Sequence, residues 1–165
     1  MSEALKNSSI TQYFGDTTYR AIPPTFKRFK LYIISGFNII EKHIRLQAYI
    51  LIKNETEETY FNMFNLLKQN HGFNPKIYTT DFNRSSTKAL KKVFPKVYII
   101  KCFFHFVNAL WKKIKKLKID NNKNTPEISE LLLSLKRLSF VNPINIPKIY
   151  KKLRKRIIMS YMNHF

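Results

Sequence analysis

Residues Lys76–Ile114 read KIYTTDFNRSSTKALKKVFPKVYIIKCFFHFVNALWKKI. The pattern is a short β-branched run ending on an acid, an amphipathic helix, a second apolar run, and a helix opened by a Cys-x-x-His pair. Ile77-Tyr78-Thr79-Thr80 stops at Asp81. A carboxylate is therefore expected at the C-terminal end of a parallel strand, where open α/β sheets place their chemistry. A lone carboxylate there serves equally well as a turn or capping residue, so a catalytic reading needs a partner. Asp16, in Tyr13-Phe14-Gly15-Asp16-Thr17-Thr18-Tyr19, is the candidate. With the two strands side by side, the acids would converge and hold a divalent metal.

Upstream of this stretch the period is that of strands. Ile10–Tyr19 reads as a first strand with Gly15 allowing a close approach or bulge. Phe29–Ser35 reads as a second strand, Gly36-Phe37-Asn38 as a turn, and Ile44–Ile52 as a third strand with Ile44, Leu46, Ala48, Ile50 and Ile52 on one face. Such short links predict antiparallel pairing. Asn54-Glu55-Thr56-Glu57 then opens a helix whose apolar face is Tyr60, Phe61, Phe64 and Leu67, closed by Gly72. Three strands followed by right-handed crossovers place the fourth strand beside the first and parallel to it. The expected fold is α/β, a ribonuclease H-like mixed five-stranded sheet with flanking helices.

Downstream, Cys102–Lys118 reads as a helix with Phe103, Phe106, Leu110 and Ile114 apolar, and Phe104 and Trp111 are also expected in the core. A polar loop at 120–124 precedes a helix carrying Ile128, Leu131, Leu132, Leu135 and Leu138. A last helix from Pro147 is expected to bury Ile149, Leu153 and Ile157. The chain thus divides into a partial core, residues 10–118, and an all-helical segment, residues 119–165.

The chain has 165 residues, is 44% hydrophobic and holds 14 Phe and 9 Tyr, enough for one domain with a sizeable core. The single cysteine, Cys102, excludes an intramolecular disulfide, and Met1–Ser9 has no apolar signal segment, so an intracellular protein without a membrane span is expected. The net charge is +20 and lies mostly in the second half. Up to Arg84 there are 11 Lys/Arg against 7 Asp/Glu, for +4; from Ser85 there are 19 against 3, for +16. Such a field favours polyanions, nucleic acid first. A competing source is coding bias, since 23 of the 30 basic residues are Lys. Lys112, Lys113, Lys115, Lys116 and Lys118, with Lys151, Lys152, Arg154, Lys155 and Arg156, are candidate phosphate contacts or solvated helix faces. The Lys151–Arg156 run also reads as a nuclear localisation signal.

Six segments together resemble one family. In order and spacing, Asp16-Thr17-Thr18-Tyr19-Arg20-Ala21-Ile22-Pro23, Phe29–Gly36, Lys53–Tyr60, Thr80-Asp81-Phe82, Val93-Phe94-Pro95 and Cys102-Phe103-Phe104-His105-Phe106 resemble the Mutator-like element (MULE) transposase domain. The resemblance implies a DDE-type core, interrupted by a helical insertion, that cuts and joins DNA with two Mg²⁺ or Mn²⁺ ions, and it allows homo-oligomers. Asp16 matches the family's first acid and Asp81 its second. The third, a Glu after the insertion, has no match. Glu127 and Glu130 fall too early, so the chain is expected to be a fragment truncated at both ends and inactive alone. Cys102 and His105, i and i+3 on a helix, offer two ligands to a soft metal, or a buried thiol and histidine supporting the site. The alternative overall is a non-catalytic, basic nucleic-acid-binding remnant or domesticated transposase-derived protein.

Overall fold

The computed structural model describes residues 9–18, 22–116 and 126–162. It divides into two compact units, Met1–Cys102 and Phe103–Phe165. In the first unit, β1 (Ile10–Thr18), β2 (Lys30–Asn38), β3 (His43–Ile52), β4 (Ile77–Thr80) and β5 (Tyr98–Lys101) form one mixed sheet, with α1 (Glu57–His71) and α2 (Arg84–Val93) in the crossovers. The strand order is β3-β2-β1-β4-β5; β1, β2 and β3 pair antiparallel, and β1, β4 and β5 pair parallel. The fourth strand therefore lies beside the first and parallel to it, as the connectivity requires.

The ends of α1 follow from local chemistry. Thr56 caps its start by accepting from the Thr59 N–H, and Gly72, at φ 64°, closes it in the left-handed region that only glycine occupies without strain. Asn83 caps α2 by accepting from the Ser85 and Ser86 N–H groups. One face of the sheet, through Tyr13, Tyr32, Ile34, Ala48, Ile52 and Tyr78, packs with Tyr60, Met63, Phe64 and Leu67 of α1 and Ala89, Leu90 and Val93 of α2. Edge-to-face rings run through this core: Phe64 meets Tyr32, Tyr78 and Phe94, and Phe73 meets Tyr13, Tyr78 and Phe94. Each such pair adds roughly 0.5–1.5 kcal/mol beyond its buried area.

The structure departs from the sequence reading at several points. β2 runs on through Gly36-Phe37-Asn38, where the sequence predicts a turn, because Gly36 sits in register between Tyr13 and Arg45 with the Ile10 side chain over its Cα. The turn falls later and includes Lys42 at φ 54°. In β3 the register shifts opposite Ile34/Ser35: Ala48 pairs with Ile34 but Leu46 with Ser35, leaving Gln47 as an extra residue. A bulge of that kind exchanges the two faces of a strand. Ala48 and Ile52 are buried, whereas Ile44 and Leu46 are 58% and 57% exposed. On α1 the fourth core position is Met63, and Phe61 points outward.

The second unit contains α3 (Phe103–Lys116), α4 (Pro126–Arg137) and α5 (Ile146–Met162), with short 3₁₀ turns at Leu138–Phe140 and Pro143–Asn145. No residue of α3 is buried, so Phe103, Phe104 and Trp111 are not core residues: Phe104 is 66% exposed. Phe103 packs on Phe140 at 5.1 Å between ring centroids, and the Lys136 ammonium lies 5.5 Å from the Trp111 ring centre. Ile149 is exposed as well, and Leu132 of α4 is the buried apolar residue of this unit among the described residues. Rings on a small unit cover one another in place of filling a core. The Ile157 side chain and residue 118 lie outside the described residues. No described helix is long and apolar enough to cross a membrane.

Two buried tyrosines give the core a pH signature. The Tyr32 and Tyr78 hydroxyls share a hydrogen bond of 3.1 Å. Desolvation, with a smaller contribution from the charges of Asp81 and Asp16, pushes Tyr32 up from 10.0 to about 12, and burial raises Tyr78 well above 10.0. In the unfolded chain both would ionise near the ordinary value. Their contribution to stability is thus complete below about pH 10 and is lost as pH rises through the folded values. Alkaline titration followed by circular dichroism is expected to show stability falling above about pH 10 in the wild type, with a shallower fall in Tyr32→Phe/Tyr78→Phe.

Candidate metal and nucleic-acid site

The site begins with the pairing of β1 and β4. Gly15 is the parallel partner of Thr80, and Asp16 and Asp81 each come next after a member of that pair. Neighbouring strands run about 4.8 Å apart, which brings the two acids to one place at the C-terminal end of the parallel strands. Gly15 and Thr80 are buried against the helical layer. Alternation then sets Asp16 on the opposite side of the strand, where it is exposed.

Each carboxylate is oriented by backbone. Asp16 Oδ1 accepts from the Thr17 N–H at 2.9 Å, and Asp81 Oδ1 accepts from the Asn83 N–H at 3.0 Å. Both acids lie within electrostatic reach of Tyr32, whose ionisation their charges oppose. The glycine before Asp16 also has a steric cause: a Cβ at Gly15 would collide with the hydroxyls of Tyr32 and Tyr78. Gly15→Ala is expected to destabilise the fold by about 1–3 kcal/mol, measured as a lower urea midpoint. Tyr32→Phe/Tyr78→Phe in that background should recover part of the loss.

Three further residues support the pair, and the sequence pattern does not single them out. Asn83 caps α2 with its side chain while its N–H holds Asp81. Glu55 reaches over from the β3–α1 loop, pairing with Lys30 at 2.5 Å and accepting from the Tyr60 hydroxyl at 3.3 Å. Lys101, at the end of β5, donates from Nζ to the Asp81 carbonyl at 2.8 Å and to Thr87 Oγ1 at 2.5 Å. Burial lowers its pKa from 10.5, and the charge of Asp81 works against that. Glu55 and Lys101 carry no motif, because their partners Lys30, Asp81 and Thr87 lie far from them in sequence, whereas Asn83 acts locally on the turn between β4 and α2.

The remaining candidates lie elsewhere. Lys112, Lys113, Lys115 and Lys116 are exposed on α3, and Lys151, Lys152, Arg154 and Lys155 are exposed on α5; the side chain of Arg156 is outside the described residues. Cys102 is half-buried at the end of the first unit, and its N–H donates to the Thr80 carbonyl at 2.9 Å. The backbone at the cysteine thus closes onto the last residue of β4, next to Asp81. His105 is half-buried in the first turn of α3, its ring edge-on to Phe104 at 5.9 Å.

Two carboxylates supply hard oxygen donors, the chemistry that Mg²⁺ and Mn²⁺ take. Among the described residues no group of three or more His, Cys, Asp or Glu side chains comes together as a metal site. An ion at Asp16 and Asp81 would complete its coordination with water and phosphate oxygens.

The chain is thus a strongly basic α/β protein whose mixed sheet carries two acids on adjacent parallel strands. The family model of the MULE transposase domain matches residues 13–109, more than half of the chain and including both acids. The chain belongs to the MULE transposase domain family. It is thereby a transposase-related protein, and DNA is the partner that this family implies. No curated protein matches the chain.

Proposed function

We propose that this chain is the DDE-type core of a DNA transposase with a ribonuclease H-like fold, in which Asp16 and Asp81 bind Mg²⁺ or Mn²⁺ in a two-metal arrangement. The observation that carries the reading is the Gly15–Thr80 pairing, which makes the two acids neighbours. In this reading residues 10–118 form the core and 119–165 belong to a helical insertion. The cores associate on DNA, and Lys151–Arg156 directs the chain to the nucleus.

The chain's own residues orient the carboxylates. Backbone N–H groups of Thr17 and Asn83 fix the carboxylate rotamers, so the ligands are set before an ion arrives. Asp16 and Asp81 would hold the ions, which would supply activation of a water or 3′-hydroxyl and stabilisation of the leaving oxygen in an in-line phosphoryl displacement. Exposed lysines of α3 and α5 contact the phosphates of the DNA. Cys102 and His105 act as structural support, one at the end of β5 and the other at the start of α3. With two carboxylates and no third described beside them, binding of metal without strand transfer is expected of this chain alone.

Calorimetry of Mn²⁺ at low salt tests this. Wild type is expected to bind weakly, and Asp16→Ala and Asp81→Ala are each expected to abolish binding. Persisting binding in both variants would sink the two-acid site. The competing reading, a non-catalytic basic DNA-binding protein, draws on the exposed lysines and predicts DNA affinity indifferent to metal and to both substitutions. Either way, changing Lys112, Lys113, Lys115 and Lys116 to Gln should weaken DNA binding. The slope of log K against log[salt] should fall by about 0.9 for each phosphate that the variant no longer neutralises.

A further inference from the structure

Beyond the acids, the C-terminal edge of the parallel strands carries an oriented cation and an exposed ring. Thr80 pairs with Gly15 of β1 and with Lys101 of β5, so Lys101 stands in the row just before the two acids and reaches Asp81 through its ammonium. The Lys101 ammonium has three N–H donors. Two are directed at neutral oxygens, the Asp81 carbonyl and Thr87 Oγ1. Its charge is therefore held in place by partners that do not neutralise it. The ion pairs of the described lysines are made by Lys30, Lys88 and Lys92, which bind Glu55 and Glu57 instead. A lysine immobilised in this way has already lost rotamer freedom that a surface lysine would lose on binding.

Phe82, the residue after Asp81, is 51% exposed, and its ring centre is 5.8 Å from Lys101 Nζ. An exposed aromatic beside a fixed cation is the pairing that holds one unpaired nucleotide, base on ring and phosphate on ammonium.

We propose that Phe82 and Lys101 form a subsite for an unpaired nucleotide beside the acid pair, Phe82 stacking its base and Lys101 contacting its phosphate. The proposal rests on the reading of Asp16 and Asp81 as the place where a DNA strand is held, and it specifies the form of that strand: single-stranded or frayed, not a closed duplex.

The test uses the full chain without metal, and fluorescence anisotropy of two labelled probes, a blunt duplex and the same duplex with a short single-stranded overhang. Wild type is expected to prefer the overhang. Phe82→Ala should remove about tenfold of overhang affinity and leave the blunt duplex unchanged, with Phe82→Trp retaining the preference. Lys101→Met should lower the salt slope for the overhang by about 0.7, and Lys101→Arg should restore it. Lysine acetylation of wild type, read by mass spectrometry, should show Lys101 protected by the overhang probe and not by the blunt one. This readout needs no substitution that would disturb the Asp81 turn. Equal affinity for both probes in wild type, or Lys101 acetylated equally with either, would overturn the subsite. Loss of Mn²⁺ binding in the acid variants is measured separately, so a failed metal site with an intact overhang preference leaves the two ideas distinguishable.

Discussion

Everything at the candidate site depends on the parallel pairing of β1 with β4 at Gly15 and Thr80. The two strands lie far apart in the chain, and a parallel pair needs a crossover connection between them. Gly15 is the point where the pairing meets the core. The hydroxyls of Tyr32 and Tyr78 occupy the space a side chain would take, and bond to each other across it. The same contact that lets the sheet close therefore determines which residue comes next into solvent, and that residue is Asp16.

The energetics on the two sides of the sheet differ. On the helical side, rings of Tyr32, Tyr60, Phe64, Phe73, Tyr78 and Phe94 interlock, most of them at steep angles, and their hydroxyls find partners among themselves and Thr17. On the acid side, order comes from backbone N–H groups and from Lys101 and Asn83 bridging the β4–α2 turn. A rigid layer of aromatics thus supports a polar edge whose side chains are fixed one hydrogen bond at a time.

The second unit is built on a different balance. Its helices carry exposed lysines and partly covered rings, and Leu132 is the fully enclosed apolar side chain among its described residues. Charge density, more than packing, is its main physical property, and it matches the affinity for polyanions expected of a transposase-related chain.

Strand and helix periods, the helix start within Asn54–Glu57, the closing Gly72 and the acid after Ile77–Thr80 are all legible because each is a local property of a few consecutive residues. The same holds for the family resemblance, which needs only order and spacing. What the sequence alone could not decide is non-local. The bulge at Gln47 turns Ile44 and Leu46 outward, since one extra residue inverts a period-two pattern that otherwise looks continuous. The aromatic run at Phe103–Trp111 reads as core by its helical spacing, yet spacing identifies a face and not what lies against it. Lys101 and Glu55 enter the site only through partners on other elements, Thr87 and Asp81 for the one and Tyr60 and Lys30 for the other. Sequence located the two acids; tertiary structure decided which residues meet them, because register and side-chain reach are set by packing across the sheet.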